Sequence, residues 1–296
     1  MRETIEFSGC VAAEALGLPH ASVAVGAFAM TAARHQLIDA PLAAARAAAG
    51  LSAEPALDML YRHLHLSFVP PSFDDPAWPL PPTARRLRPV LFDRSGNEAL
   101  PAWVADLPTD RPIVYATLGT AYNRTPGLFP AILAGLRDEP ISLIVTVGRN
   151  QDPAAFGPQP PNVHIERYIP QSLLLPRCDL VVTHAGFSTI MAVLTHGLPV
   201  VAIPISADQP DNARRCAALG LGRVIAPDDR TPAAIGAAVR DVLADPRYRA
   251  QARHLQAELQ ALPGMEHAVA LLATLAARRV IATLSPLGAL APEAEL

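Results

Sequence analysis

The segment CDLVVTHAGFSTIMAVLTHGLPVVAIPISADQPDNARRCAALGLGRVI, residues 178–225, decides the fold. It alternates apolar runs with small-residue turns and helical patterns. This alternation is typical of a parallel sheet with helices on both faces, whose strands are short and almost wholly apolar. The stretch 180–207 holds no Asp, Glu, Lys or Arg, but its glycines and prolines favour strand, turn, helix and strand over a membrane-spanning helix.

The same alternation begins at Pro112. Six strands are predicted, namely IVYATL from Ile113, SLIVTV from Ser142, VHIE from Val163, DLVVT from Asp179, VVAIP from Val200 and RVIA from Arg223. Helices are predicted at about 126–137, 188–196, 209–219 and 232–244, and after Pro246 and Met265. Residues 1–68 are alanine-rich with a helical pattern, and the proline-dense stretch 68–90 is predicted to be a linker.

Composition narrows the class of protein. The chain has 296 residues, 51% of them hydrophobic, which is enough apolar material for one large or two medium domains. A net charge of −3 provides no basic field for nucleic acid, so no nucleic-acid partner is predicted. Cys10, Cys178 and Cys216 lie far apart, which suggests neither a zinc motif nor a disulfide framework. Because the N-terminus also lacks the pattern of an export signal, a cytoplasmic location is predicted.

A candidate anion site follows the strand that ends at Thr183. His184, Ala185 and Gly186 form a small-residue turn, and a helix is predicted to open near Ser188. The unpaired amides of a first helical turn and the helix dipole together attract anions, so a diphosphate would fit there. Each of these residues taken singly is also explained as an ordinary turn or capping residue.

The joint spacing of two features favours a binding site. Asp208 and Gln209 follow the next predicted strand after the turn at His184. Ligands of open α/β sheets bind at the carboxyl ends of the strands, where both features would lie. Asp208 on its own is also explained as the cap of the helix that starts beside Pro210.

These residues resemble the nucleotide-sugar signature of GT-B glycosyltransferases of family one, which includes the macrolide, glycopeptide and plant secondary-product enzymes. HAGFST, GLP and ADQ stand where the signature requires them. The resemblance implies that Asp208 and Gln209 hold the hydroxyls of the donor sugar. It also implies contacts to the donor diphosphate from His184, Gly186, Ser188 and Thr189.

Two further runs agree with the family pattern. RYIPQSLLL resembles the base-binding run, which implies that Tyr168 stacks on the nucleobase and that the backbone of Ile169 pairs with its edge. An ordinary packed aromatic remains the alternative for Tyr168. In PIVYATLGT, Gly119 and Thr120 resemble the loop that closes over the diphosphate from the other side.

The resemblance implies an α/β fold of the GT-B type, with two Rossmann-like lobes built on parallel sheets. The first third of the expected N-terminal lobe has no counterpart here, so that lobe is predicted to be incomplete. The predicted domains are a partial acceptor-side lobe with its linker at 1–90, a nucleotide-sugar-binding domain at 91–284 and a frayed tail at 285–296.

The implied activity is that of a hexosyltransferase. A hexose would pass from a UDP- or dTDP-sugar to a hydroxyl of a small-molecule acceptor, with inversion and without a cofactor. No D-x-D string occurs, which agrees with a metal-independent site. Many members bind ribose through a Glu at the position of Ala192, and its replacement favours a deoxyribose donor such as a dTDP-sugar.

The catalytic base is unknown from the sequence. In the family it is a His after an apolar opening strand, and the remaining histidines of the N-terminal region are interpreted as surface or packed residues: His20, His35, His63 and His65. A non-catalytic nucleotide-sugar-binding fragment or accessory protein is therefore one alternative. A nucleotide-sugar epimerase is another, although no cluster of carboxylates supports it.

Overall fold

The computed structural model describes residues 1–94, 96, 98–120 and 123–284, with backbone alone at 56 and 278–284. The predicted tail at 285–296 lies outside the described residues. Two compact units are present. The first contains Met1–Ser67, Ala77–Leu87 and a C-terminal segment from Pro263, and the second contains Phe68–Pro76 and Arg88–Leu262. The predicted domain boundaries at residues 90 and 284 stay a prediction, and the compact units divide the chain differently.

The first unit contains a parallel sheet of four short strands. They are β1 (Arg2–Glu3), β2 (Ala21–Val23), β3 (Leu64–Ser67) and β4 (Ala84–Arg86), in the order β1-β2-β3-β4. Its first four helices are α1 (Ser8–Ala15), α2 (Phe28–Ala32), α3 (His35–Ala48) and α4 (Ala56–Leu60). The helical pattern of residues 1–68 corresponds to α1–α4 but did not reveal the strands between them. These strands carry polar residues such as Arg2, Ser22 and His65, so they do not form apolar runs, and β4 lies inside the predicted linker.

The second unit is built on a parallel sheet of six strands. They are β5 (Ile113–Thr117), β6 (Ser142–Thr146), β7 (Val163–Glu166), β8 (Leu180–Thr183), β9 (Val200–Ala202) and β10 (Gly222–Val224). Every predicted strand is present, within one to two residues at most ends. Their order is β10-β9-β8-β5-β6-β7, so the chain builds one half of the sheet from β5 outward and the other half from β8 outward.

Helices connect and cover these strands. They are α5 (Leu128–Leu136), α6 (Gln171–Leu174), α7 (Phe187–Thr195), α8 (Gln209–Ala218), α9 (Pro232–Ala244) and α10 (Pro246–Ala261), followed in the first unit by α11 (Met265–Leu284). The bounds of α9 are those predicted, and the Thr231 side chain accepts a hydrogen bond from the Ala234 amide as its cap. No helix in the described part of the chain is long and apolar enough to cross a membrane.

Both faces of the six-stranded sheet are buried. Tyr115, Ile144 and Val181 belong to one apolar cluster, and their neighbours along the same strands, including Val114 and Val182, belong to the other. Side chains alternate between the two faces of a strand, so a sheet covered on both sides needs a continuous apolar run. This is why the predicted strands of the second unit could be recognised by composition alone.

An aromatic residue covers the edge strand β7. Trp103 stacks on His164 with ring centroids 4.0 Å apart and an interplanar angle of 5°, and its indole N–H donates to Glu166 over 3.2 Å. Unpaired strand edges invite pairing with other chains, and a stacked side chain reduces that access.

Candidate functional site

The candidate site lies where β5 and β8 run side by side. The two strands are paired in parallel from Val114–Leu180 to Thr117–Thr183, so their carboxyl ends meet. Since the chain proceeds from them towards opposite edges of the sheet, this is the point at which open α/β sheets bind ligands. Gly119 follows the first strand closely, and His184 follows the second.

In the turn after β8, side chains form hydrogen bonds to both the backbone N–H and the backbone carbonyl of Ala185. Ala185 is fully buried and has a φ of 63°, in the left-handed region that costs energy for a residue with a Cβ. Its amide donates to Thr183 Oγ1 over 3.2 Å, and its carbonyl accepts from Asn212 Nδ2 over 3.0 Å. These two contacts stabilise the strained turn.

Helix α7 begins directly after this turn. Gly186 is its N-terminal flanking residue, so the helix opens at Phe187, one residue before the predicted start at Ser188. Within an α-helix the first amides have no partner in the helix itself. The amides of Ser188 and Thr189 therefore belong to the end of α7 that faces the strand ends, although the Thr189 side chain is buried and that of Ser188 is exposed.

The His184 imidazole is enclosed by two glycines. A Cβ atom on Gly119 would lie 2.7 Å from His184 Nε2, and one on Gly186 would lie 2.5 Å from the same atom. Gly119 also has a φ of 71°, which glycine adopts without strain. Both positions therefore require glycine for the imidazole to occupy its place. The adjacent Thr120 is exposed.

Burial sets the charge of this imidazole. His184 is 8% exposed, and desolvation lowers its pKa to about 4, against an opposing effect of the Asp208 carboxylate. The ring is neutral at pH 7. It therefore offers one N–H donor and one acceptor to its surroundings.

Asp208 makes a contact that the sequence did not indicate. It flanks α8, but its carboxylate makes no capping bond to that helix. Instead Oδ2 accepts from the Phe187 amide over 3.1 Å and from Asn212 Nδ2 over 2.6 Å. Asp208 does occupy the N-cap position of α8, as its place beside Pro210 indicates, but its side chain bonds to the first turn of the neighbouring helix α7.

Gln209 holds the loop that follows β9. It is 2% exposed, and its Oε1 accepts from the amides of Ile205 and Ser206 over 2.8 and 2.9 Å. This gives the side chain a structural task in addition to the predicted contact with sugar, which stays a prediction. Its Nε2 is the group that remains for a ligand.

The loops after β5 and β6 are joined by two amide side chains that sequence reasoning missed. Asn123 Nδ2 donates to the Gly119 carbonyl over 3.0 Å, and Gln151 Nε2 donates to the carbonyls of Asn123 and Val147 over 2.7 and 2.8 Å. Gly148 makes room for Asn123, since a Cβ there would lie 2.0 Å from its Nδ2. The contact between Gln151 and Asn123 spans 28 positions, so no local sequence motif indicates it.

The Tyr168 side chain is contacted both at its hydroxyl and on the face of its ring. The hydroxyl donates to the carbonyl of Asp93, and the guanidinium of Arg149 lies 4.5 Å from the ring centroid. The Asp93 carboxylate in turn accepts from the amide and the hydroxyl of Ser172, each over 2.7 Å. Tyr168 is thus a fixed aromatic at the carboxyl end of β7, and the side chain of the next residue, Ile169, is buried.

The structure brings together Gly119, His184 and Gly186 by direct packing, with Asp208 bonded to the same helix start. Tyr168 and Ile169 follow the edge strand β7, which is separated from β5 by β6.

The N-terminal histidines belong to the first unit. His35 pairs with Asp39 over 3.0 Å near the surface, and His65 is 1% exposed and contacts Ser22 Oγ over 2.9 Å.

Comparison with protein families identifies the region around this site. Residues 132–275 match the EryCIII-like C-terminal domain, that of erythromycin biosynthesis protein CIII-like proteins. Two relatives are the demethyllactenocin mycarosyltransferase of Streptomyces fradiae, 36% identical over 52% of this chain and 33% of that protein, and the 4'-demethylrebeccamycin synthase of Lentzea aerocolonigenes, 32% identical over 71% and 49%. The chain thus spans about a third to a half of the length of these curated relatives.

Solved structures show the same architecture. The calicheamicin glycosyltransferase CalG4 superposes with a TM-score of 0.78 at 23% identity, over 94% of this chain and 74% of that one. The glycosyltransferase VinC, solved with dTDP, has a TM-score of 0.75 at 25% identity, over 93% and 71%. The predicted α/β fold of the GT-B type, with two parallel-sheet units, is confirmed. Over residues 132–275 the chain is thus similar in sequence to the EryCIII-like C-terminal domain, and over most of its length it has the fold of the GT-B glycosyltransferases.

Proposed function

We propose that the second unit binds the diphosphate of a nucleotide-sugar between Gly119 and the first turn of α7, and that the protein transfers the hexose to a hydroxyl of a small-molecule acceptor. The observation that carries the proposal is the His184 imidazole, neutral and enclosed by Gly119 and Gly186 where β5 and β8 end. Glycosyltransferase relatives favour transfer over epimerisation or binding alone.

The chemistry follows from what this end of the sheet can stabilise. In an inverting transfer the acceptor oxygen attacks the anomeric carbon while the nucleoside diphosphate leaves from the opposite face. The leaving diphosphate gains negative charge, which the amides of Ser188 and Thr189 and the dipole of α7 can stabilise. A neutral His184 can donate its one N–H to a phosphate oxygen. In this proposal neither a metal ion nor a cofactor takes part, and the general base is unassigned.

Asp208 is proposed to hold the sugar. Its two protein donors both reach Oδ2, so Oδ1 is the oxygen placed to accept a sugar hydroxyl. Gln209 Nε2 would donate to a neighbouring hydroxyl, while Gln209 Oε1 keeps the loop after β9 in place. An acceptor and a donor in adjacent directions suit a vicinal diol.

The nucleobase is proposed to stack on Tyr168, with its edge against the backbone of Ile169. The hydroxyl bond to Asp93 fixes the ring, which reduces the entropy lost on binding. Arg149 already covers part of the ring and would lie beside the base or the diphosphate. Thr120 would close over the diphosphate with Gly119.

A dTDP-sugar is the proposed donor. Ala192 is 1% exposed within α7, so this position offers no polar partner to a ribose 2′-hydroxyl. The related VinC was solved with dTDP. A cytoplasmic location is part of the proposal, supported by the three buried cysteines, which are free thiols.

The experiment that tests this function is calorimetry of the full chain with dTDP and UDP, followed by a transfer assay with dTDP-sugars and macrolide-type acceptors. We expect binding of dTDP that His184→Ala weakens, with UDP bound less tightly. Equal binding of dTDP by the parent and His184→Ala would place the diphosphate elsewhere. Release of sugar to water alone, with no acceptor-dependent product, would contradict transfer.

A further inference from the structure

A cluster of metal-ligating side chains lies in the first unit. The ligand atoms of Glu14, His20 and His63 all lie within 4.8 Å of one another, and we call these three residues the Glu14 cluster. His20 Nε2 is 3.1 Å from Glu14 Oε1, and Cys10 Sγ is 3.5 Å from the same His20 nitrogen. Three groups of the types that bind zinc therefore lie together, and the Cys10 thiol adjoins the His20 member of the cluster.

The fold brings these residues together from three segments. Cys10 and Glu14 are four residues apart on α1, which places them on one face of the helix. His20 directly precedes β2, and His63 directly precedes β3, and these two strands are neighbours in the sheet. The cluster joins α1 to the starts of both strands.

We propose that Glu14, His20 and His63 bind a divalent transition-metal ion of the zinc class, with Cys10 as the fourth ligand. Zinc bonds of about 2.0 to 2.3 Å in a tetrahedron put ligand atoms roughly 3.3 to 3.8 Å apart. The separations of 3.1 Å for Glu14 to His20 and 3.5 Å for Cys10 to His20 are close to these values. Small rotations would bring the ligand atoms of Glu14, His20 and His63, which lie within 4.8 Å of one another, to these separations, and the Cys10 side chain would turn towards the same point.

Arg62 is the competing cation. Its Nε lies 3.1 Å from Glu14 Oε1, and its guanidinium also pairs with Glu54. The Arg62 side chain is 40% exposed, so it can turn towards solvent when a metal takes the carboxylate. The proposal therefore predicts that removing the positive charge of Arg62 tightens metal binding.

The role of the ion would be structural. The metal would link α1, the start of β2 and the start of β3 within the first unit, whereas the proposed donor site belongs entirely to the second unit. Metal binding and nucleotide binding should therefore be separable, and the failure of either proposal leaves the other untouched.

The test uses the full chain, stripped with a chelator and dialysed, and titrated with ZnCl2 or CoCl2 alone. We expect one metal ion per chain with a Kd below about 1 μM. Cobalt should give visible bands of a four-coordinate site and a near-ultraviolet thiolate band. Cys10→Ser should remove the thiolate band, whereas Cys178→Ser should keep it.

Variants distinguish the cluster from adventitious binding. His63→Ala and Glu14→Gln should each weaken zinc binding by at least the roughly 10- to 100-fold that changes around metal ligands cost. Arg62→Gln should tighten it. The matched control is His35→Ala, which breaks the exposed pair with Asp39 in the same unit and should leave zinc affinity unchanged.

Two results would overturn the proposal. The first is that the parent chain binds no zinc below millimolar concentration. This result does not depend on whether any variant folds. The second is unchanged affinity in both Glu14→Gln and His63→Ala when circular dichroism shows that both are folded.

Discussion

The carboxylate of Asp208 and the backbone amide of Phe187 form a 3.1 Å hydrogen bond that joins the start of α8 to the first turn of α7. A negative charge thus already lies at the helix end proposed to receive the diphosphate. An anion at a helix N-terminus is stabilised by typically about 0.3 to 1 kcal/mol, but two anions there repel each other. A sugar hydroxyl on Asp208 adds an attraction that the bare nucleotide lacks. If the proposed site holds the donor, the arrangement would favour the nucleotide-sugar over the nucleoside diphosphate.

Asp208→Ala should reverse this preference. The variant loses a charged hydrogen bond to the sugar, worth about 1.5 to 3 kcal/mol, and also loses the repulsion of the diphosphate. Affinity for a dTDP-sugar should fall, while affinity for dTDP should stay level or rise, as measured by calorimetry. Asp211→Ala on the same helix is the control, because Asp211 pairs with Arg214. Equal losses for both ligands would show that Asp208 does not read the sugar.

Gly186→Ala should act through His184. Its added Cβ would lie 2.5 Å from His184 Nε2, so the imidazole must move before any ligand is affected. We expect weaker dTDP binding in Gly186→Ala and in His184→Ala, but the double variant should be no weaker than His184→Ala alone. Such non-additivity is the signature of two residues in contact.

Gly96→Ala is the control for this cycle, since a Cβ there meets nothing within 4 Å. Additive losses in the double variant would mean that Gly186 meets the diphosphate directly and that displacement of the imidazole is not the cause.

The sequence predicted the second unit much better than the first. Its inner strands are buried on both faces and form continuous apolar runs, whereas β1, β2 and β3 contain polar residues such as Arg2, Ser22 and His65. Polar residues within a strand interrupt the apolar run by which a buried strand is recognised. The candidate site was predicted where residues are close along the chain, as at His184 and Gly186.

Contacts between distant residues were not predicted. Asn212 bonds to the Ala185 carbonyl across 27 positions, and Gln151 bonds to the Asn123 carbonyl across 28 positions. The ligand spacing of the Glu14 cluster also matches no local metal motif. The order of strands in the sheet brings these partners together, and that order cannot be inferred from any single segment of the sequence.

Tyr168→Leu should weaken binding of the nucleotide through loss of the aromatic face. Stacking of a base on an aromatic side chain is worth about 1 to 3 kcal/mol. Tyr168→Phe keeps the ring but loses the hydroxyl bond to Asp93, so it should retain most of the affinity. Calorimetry with dTDP measures both. If Leu and Phe bind dTDP equally well, Tyr168 is a packing residue and the base lies elsewhere.

The stability of the second unit should fall as the pH is lowered through the range in which His184 is protonated in the unfolded chain but not in the folded one. Burial lowers the folded pKa from an ordinary value of 6.5 to about 4. Between these two values the unfolded chain binds more protons, so the free energy of unfolding rises with pH. The contribution is fully present above about pH 6.5 and is lost towards pH 4. At about 1.36 kcal/mol per pKa unit it amounts to roughly 3 kcal/mol.

Chemical unfolding of the second unit, followed by Trp103 fluorescence between pH 4 and pH 7.5, measures this slope. His184→Gln has no titrating ring and should show a shallower dependence on pH. His254→Gln replaces a histidine of the same unit whose side chain is 62% exposed, and should keep the slope of the parent. A parent and a His184→Gln variant with the same slope would mean that the imidazole takes up its proton as readily in the fold as in the unfolded chain. It would then be charged at mildly acidic pH, and the proposed neutral donor to the diphosphate would have to be abandoned there.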